Sequence, residues 1–130
     1  MTPDDTPREP PRIDSYTFGR IVVDGEAYTK DVIITPDGVR PEWWRERGHR
    51  LTLKDLGDLL DDPPDVLIIG IGANGVMSVP DTVADAVRER GIELIIEKSG
   101  TAVETYNRGV AAHGEDHDLV RVYAEGLADR

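Results

Sequence analysis

Three glycines at the end of an apolar segment form the motif with the clearest possible chemistry. The spacing Gly70-x-Gly72-x-x-Gly75 matches the turn of dinucleotide-binding proteins, where glycines let the backbone approach a pyrophosphate. Glu97 ends the next apolar segment, where that motif expects an acid that binds the ribose. The alternative is a sharp exit from a sheet, at which glycine permits a positive φ.

The residues after the third glycine favour this alternative. In a dinucleotide-binding turn, Gly75 would lie in the helix that packs on the strand, and the start of that helix would face the pyrophosphate. Residues 76–79 instead have an extended pattern, and Pro80 delays the predicted helix. The sequence therefore predicts a strand exit rather than a Rossmann fold.

A second polar loop, Lys98-Ser99-Gly100-Thr101, follows the next predicted strand. Ligands of open α/β sheets bind beyond the carboxyl ends of parallel strands, so we expect the two loops to meet there. Hydroxyl groups, the Lys98 ammonium and helix-start amides could hold a carboxylate or phosphate. Capping of the helix by Thr101 or Ser99 explains the same residues without a ligand and is the favoured interpretation.

The candidate pocket between these loops gives the predicted binding residues. They are Gly70, Gly72, Asn74, Ser99, Gly100, Thr101 and Asn107. Asn107 lies further along the helix and its direction stays open, whereas Tyr106 belongs to the apolar stripe and is expected in the core. We assign no catalytic residue, because Ser15, Ser78 and Ser99 all lack the G-x-S-x-G frame of a nucleophile elbow.

Two histidines raise the question of a metal. His113 and His117 stand four residues apart beside acidic residues, but Gly114 is expected to end the helix and to separate their directions. His49 stands alone and is typical of a structural histidine. The sequence therefore assigns no metal site and no cofactor.

The elements that position the loops form a mixed α/β pattern. Short strands around residues 16–23 and 31–35, with the turn signal Asp24-Gly25, predict antiparallel hairpins. The proline-rich residues 1–13 predict a disordered tail, residues 14–125 the domain, and residues 126–130 a second short tail.

The second half alternates helices with apolar strands. Thr52 and Asp55 have the spacing of a capping box, for a helix that buries Leu53, Leu56, Leu59 and Leu60. Residues 66–69 form a continuous apolar run, typical of a central strand. Further helices are predicted near Pro80, ending at Gly91, and from a capping box at Thr101, with strands at 92–96 and 119–123. We predict a single α/β domain with a mixed sheet.

Composition limits the possible functions. The 130 residues carry a formal charge of −11 and contain no cysteine, which argues against nucleic-acid binding and excludes disulfides and thiol chemistry. No apolar run is long enough to span a membrane, and no signal peptide is visible at the start, so a cytoplasmic protein is expected. The acidity also fits a high-salt cell, and the pair Trp43-Trp44 is either core or a partner anchor.

The ordered series of motifs resembles the Mth-like domain family. It comprises Phe18-Gly19-Arg20-Ile21, Tyr28, Asp31-Val32-Ile33-Ile34, the Trp43 region, the strand ending in Gly70-x-Gly72, and Thr101-Ala102-Val103-Glu104-Thr105-Tyr106-Asn107. The resemblance implies a compact β/α topology and a non-enzymatic assembly or regulatory factor with a protein partner, since relatives include a mitochondrial complex I assembly factor and an adipogenesis-associated protein. The alternative is a protein or enzyme that uses the loop pocket for a small, anionic ligand.

Overall fold

The computed structural model describes residues 11–17, 19–35, 38–40, 50–61, 63–72, 74–75, 77–111 and 121–125. Several sequence predictions lie outside these residues and stay predictions. They concern Phe18, Trp43, Trp44, His49, His113, Gly114, His117, the first ten residues and residues 126–130.

The first three strands form a small antiparallel sheet of their own. Strands β1 (Ile13–Thr17), β2 (Arg20–Val23) and β3 (Glu26–Tyr28) pair in the order β1-β2-β3. Asp24 and Gly25, which join β2 to β3, have φ angles of 48° and 81°. Two consecutive positive φ angles are what a tight two-residue hairpin requires, so the predicted hairpin is confirmed.

A larger mixed sheet lies at the centre of the fold. Strands β4 (Val32–Thr35), β5 (Gly38–Arg40), β6 (Val66–Gly70), β7 (Glu93–Glu97) and β8 (Arg121–Glu125) take the order β5-β4-β8-β6-β7. Strand β6 is parallel to both β7 and β8, while β4 is antiparallel to β5 and β8. All of β6 is buried, as its continuous apolar pattern predicts. The predicted mixed α/β fold is confirmed, with the early hairpins divided between two sheets.

Within the described part of the chain, four helices connect and cover these strands. They are α1 (Leu53–Leu56), α2 (Asp58–Asp61), α3 (Asp81–Glu89) and α4 (Ser99–Ala111). The capping box of Thr52 and Asp55 is present, but the single helix predicted after it breaks at Gly57, whose φ is 40°. Leu53 is 38% exposed, so the prediction that it is buried was wrong. The predicted end of α3 is confirmed by Gly91, which has a φ of 80°.

The core has one layer on each face of the larger sheet. On one face, the apolar side chains of α1, α2 and α3 pack on Ile33, Leu67 and Ile69. On the other face, α4 and the small sheet pack on alternate residues of the same strands. Both faces of β6 are therefore covered, which explains why its apolar residues do not alternate with polar ones. No helix in the described ranges is long and apolar enough to cross a membrane.

Candidate functional site

The two predicted loops meet at the carboxyl ends of β6 and β7. The backbone N–H of Gly72 donates to Ser99 Oγ at 2.9 Å, and the N–H of Ser99 donates to the Gly72 carbonyl at 3.1 Å. One step earlier, the N–H of Ile71 donates to the Glu97 carbonyl at 3.0 Å. The loops are thus joined by reciprocal hydrogen bonds at the place where the topology predicts a crevice.

These bonds occupy two of the predicted binding residues, Gly72 and Ser99. Ser99 is fully buried, and its hydroxyl accepts the Gly72 N–H instead of facing solvent. Gly72 has a φ of 96°, which only glycine adopts readily and which supports the strand-exit interpretation of the motif. The junction of Gly72 and Ser99, called here the loop brace, is therefore a structural contact between the strands' exits.

The start of α4 lies earlier than the sequence predicts. The N–H of Ala102 donates to the Lys98 carbonyl at 2.9 Å, and the helix begins at Ser99. Thr101 is consequently inside the first turn and exposed. The predicted capping box of Thr101 and Glu104 was therefore wrong, since a residue within the first turn cannot be the N-cap.

The remaining loop residues form an exposed rim above the brace. Asn74, Gly100 and Thr101 are exposed, whereas Gly70 is the buried last residue of β6. The Lys98 side chain lies along Gly75, because a Cβ added to Gly75 would be 3.4 Å from Lys98 Cε. The rim thus offers the ammonium group of Lys98, the amide of Asn74 and the hydroxyl of Thr101.

Asn107 does not belong to this rim. Its Nδ2 donates to the Ile13 carbonyl at 2.8 Å, and its Oδ1 accepts the Ile13 N–H at 3.0 Å. The preceding residue, Tyr106, is buried as predicted, and its hydroxyl donates to the Pro11 carbonyl at 2.7 Å. Residues 11–13, which the sequence assigned to a tail, are therefore bound to α4, because two side chains satisfy their backbone groups.

A depression of about 450 Å³ lies beside this attachment and was not predicted from the sequence. Its lining comprises Arg12, Glu104, Asn107 and Arg108. The two arginines come from opposite ends of the chain, so their proximity has no signal in local spacing. The helical spacing of Glu104 and Arg108 does predict that these two side chains share one face.

The outer edge of β7 is the second feature that local motifs did not reveal. The N–H of Glu93 donates to the Asp65 carbonyl at 2.9 Å, and the Glu97 carbonyl accepts from Ile71, so both residues direct backbone groups towards β6. Backbone groups alternate along a strand, and those of Leu94 and Ile96 consequently point away from β6. Among the described residues, β7 has no second strand beside it.

Two observations concern the ionisable groups of the described residues. These residues include no cluster of three His, Cys, Asp or Glu side chains that could hold a metal. Burial, together with the hydrogen bond and charge of Glu26 and the charge of Asp24, raises the pKa of Tyr28 above its ordinary value. Tyr28 lies in β3 and not in the loop brace.

The fold has several known relatives. A conserved hypothetical protein from Pyrococcus horikoshii, PH1505, superposes with a TM-score of 0.73 at 20% identity, over 88% of this chain and 96% of its own. XCC1710 from Xanthomonas campestris gives 0.76 at 19% identity, over 99% and 91%. MT938 gives 0.67 at 19% identity, over 88% and 96%. At these identities the likeness concerns the fold alone.

Residues 13–116 match the model of a family described as "Protein of unknown function (DUF498/DUF598)". The match covers most of the chain, and the likeness to MT938 agrees with the resemblance to Mth-like domains. The chain therefore belongs to the DUF498/DUF598 family, which is the Mth-like family.

Proposed function

We propose that this protein is a non-enzymatic assembly or regulatory factor of the cytoplasm, and that a partner protein binds at the outer edge of β7. The observation that carries the proposal is the set of outward backbone groups of Leu94 and Ile96. A five-residue strand with outward donors and acceptors is a template for an added strand. The other edge strand of the larger sheet, β5, has only three residues and offers a shorter ladder.

The loop brace supports this proposal indirectly. Two of the predicted pocket residues bond to each other, so the Gly72 amide and the Ser99 hydroxyl would have to separate before a ligand could use them. Breaking a buried hydrogen bond costs about 1–3 kcal/mol. The brace instead joins the exits of β6 and β7 at this end of the sheet.

Site-specific photo-crosslinking in cells of the source organism tests the docking edge. A benzophenone amino acid at position 93 should give a crosslinked partner, whereas the same group at the exposed α3 position 89 should not. Ile96→Pro removes an outward N–H without affecting the ladder to β6, so it should abolish the crosslink. Ile96→Ala loses a similar part of the side chain but keeps the backbone N–H, so this variant should retain the crosslink.

Equal crosslinking from positions 93 and 89, or a crosslink that survives Ile96→Pro, would contradict the proposal. Circular dichroism of both Ile96 variants shows whether the sheet is intact. Ile95→Pro provides a further comparison, because the Ile95 N–H points towards β6 and its loss should destabilise the domain.

A second candidate function is the binding of a small anion, supported by the depression beside Arg12. Two guanidinium groups line it, and guanidinium groups bind carboxylate and phosphate by paired hydrogen bonds. Glu104 would favour ligands that also carry a hydroxyl or amino group. The anion would then bind at a different site from the predicted loop pocket, where Asn74, Lys98 and Thr101 are exposed polar residues.

Thermal unfolding with phosphate, citrate and amino acids tests the anion site. A ligand at about ten times its Kd should raise Tm by roughly 3–5 °C, and Arg12→Gln with Arg108→Gln should abolish the shift. Arg88→Gln, an exposed change on α3, is the matched control. A shift abolished by Lys98→Gln instead would assign the anion to the loop rim.

A further inference from the structure

We propose that the segment that pairs with β7 is an antiparallel strand with a basic residue, an apolar residue and a second basic residue at alternate positions. This inference rests on the proposed docking at β7 and specifies the partner's chemistry. It follows from the identity of the side chains that an added strand would face, which are Glu93, Ile95 and Glu97.

The three side chains share one face of the larger sheet. Ile95 packs against the cluster beneath α4, while Leu94 and Ile96 belong to the cluster on the opposite face. Residues two apart on a strand point to the same side, so Glu93 and Glu97 flank Ile95. The Glu97 carboxylate Oε1 accepts the Thr105 hydroxyl of α4 at 2.6 Å, which holds this acid at the α4 face.

The hydrogen-bond pattern places these side chains where a partner comes closest. The outward groups belong to Leu94 and Ile96, so Glu93, Ile95 and Glu97 occupy the non-hydrogen-bonded positions of an antiparallel pair. At such positions the Cα atoms of directly opposed residues are only about 4.5 Å apart. Basic residues opposite both acids would form two cross-strand ion pairs around one apolar contact.

The same arrangement disfavours a second copy of this chain. An antiparallel β7 to β7 pair centred on Ile95 would place each Glu93 directly opposite the Glu97 of the other copy. Two like-charge pairs at the closest cross-strand positions are destabilising, and each copy carries a net charge of −11. The acids thus protect the edge from self-pairing while they favour a basic partner.

A peptide titration followed by ¹⁵N NMR of the full chain tests this inference. The probe is acetyl-Thr-Lys-Thr-Val-Thr-Lys-Thr-amide, and the matched peptide carries Glu in place of both Lys. At about 0.15 M salt, where the Debye length of about 8 Å limits the attraction to nearby charges, we expect the Lys peptide to shift the amides of Leu94 and Ile96. It should bind about tenfold more tightly than the Glu peptide, with about threefold from each ion pair. N-methylation of the two central Thr residues should abolish the shifts, because it removes the ladder donors.

Variants separate charge from docking. Glu93→Gln with Glu97→Gln should bring the ratio of the two affinities close to one, and Glu93→Gln alone should reduce it about threefold without touching the Thr105 contact. Glu89→Gln, on exposed α3, should leave the ratio unchanged.

The possible outcomes are distinct. Equal binding of both peptides at Leu94 and Ile96 overturns the charge inference and leaves docking at β7 intact. No shift with either peptide, together with an Ile96→Pro-sensitive crosslink from position 93, overturns the segment chemistry alone. If the crosslink is also missing, the proposed function fails. Concentration-dependent β7 shifts with dimers in sedimentation would identify a second copy as the occupant and overturn the inference.

Discussion

At the residue scale, Ser99 has a structural role that differs from the helix cap predicted from the sequence. Its hydroxyl is the acceptor for the buried Gly72 N–H, so Ser99→Ala should leave that donor unpaired. We expect the free energy of unfolding in urea to fall by about 1–3 kcal/mol. Thr101→Ala, two residues later and exposed, should change it by less than about 0.5 kcal/mol. Similar losses in the two variants would contradict the loop brace.

Tyr28 gives a pH-dependent prediction at the same scale. Because its pKa is raised in the folded protein, the unfolded chain loses the phenolic proton first as pH rises. The stabilising effect is fully present below the unfolded pKa of about 10, and is lost as pH rises from there through the folded pKa. Tyr28→Phe should therefore reduce the fall in stability across this range.

The tyrosinate absorbance gives a direct measurement of this shift. The difference titration of wild type minus Tyr28→Phe should have a midpoint above that of free tyrosine, because burial and the Glu26 carboxylate oppose ionisation. Glu26→Gln should lower the midpoint. A midpoint at or below the ordinary value would refute the assignment.

At the element scale, α4 holds the first strand in place. Asn107 bonds both backbone groups of Ile13, the first residue of β1. Asn107→Ala should lower the unfolding free energy by about 2 kcal/mol, and hydrogen exchange should accelerate most in β1. Arg108→Ala, the next residue on α4 and exposed, is the control. Uniform acceleration across both sheets would indicate global destabilisation and contradict a local attachment.

Much of this element arrangement follows from local sequence signals. Three features were predictable because each depends on a few neighbouring residues. They are the apolar run of β6, the Asp24-Gly25 hairpin and the Thr52 capping box. The break at Gly57 was not predicted, although a glycine with a positive φ is a common local signal for the end of a helix. The early start of α4 did not follow from capping preferences, since a long-range contact accompanies it. The Ser99 hydroxyl bonds Gly72 across the strand exits.

The site was harder to predict for the same reason. The predicted order of strands and helices correctly placed the Gly72 and Ser99 loops side by side. The spacing of residues in the sequence could not show that these two residues form hydrogen bonds with each other. Asn107 was grouped with these loops because it shares their helix, although its partner Ile13 is 94 residues away in sequence. The Arg12 depression and the β7 edge likewise arise only from long-range packing and strand order.

At the scale of the whole molecule, the charge of −11 should make stability depend on salt. Excess like charge destabilises the compact state through self-repulsion. The Debye length falls from about 30 Å at 0.01 M salt to about 3 Å at 1 M, so we expect Tm to rise by roughly 5 °C or more between these concentrations. Thermal unfolding followed by circular dichroism measures this change.

Charge variants distinguish self-repulsion from a general salt effect. Asp85→Asn with Glu89→Gln removes two exposed negative charges from α3. This double variant should have a higher Tm than the wild type at about 0.01 M salt, and a smaller difference between its Tm values at about 0.01 M and about 1 M salt. Sucrose is excluded from the protein surface and strengthens burial without screening charge, so it should raise the Tm of the wild type and of the variant equally. If the acidity is an adaptation to high salt, the wild-type spectrum should change at about 0.01 M salt, whereas an unchanged spectrum with a flat Tm would contradict both this adaptation and destabilisation by self-repulsion.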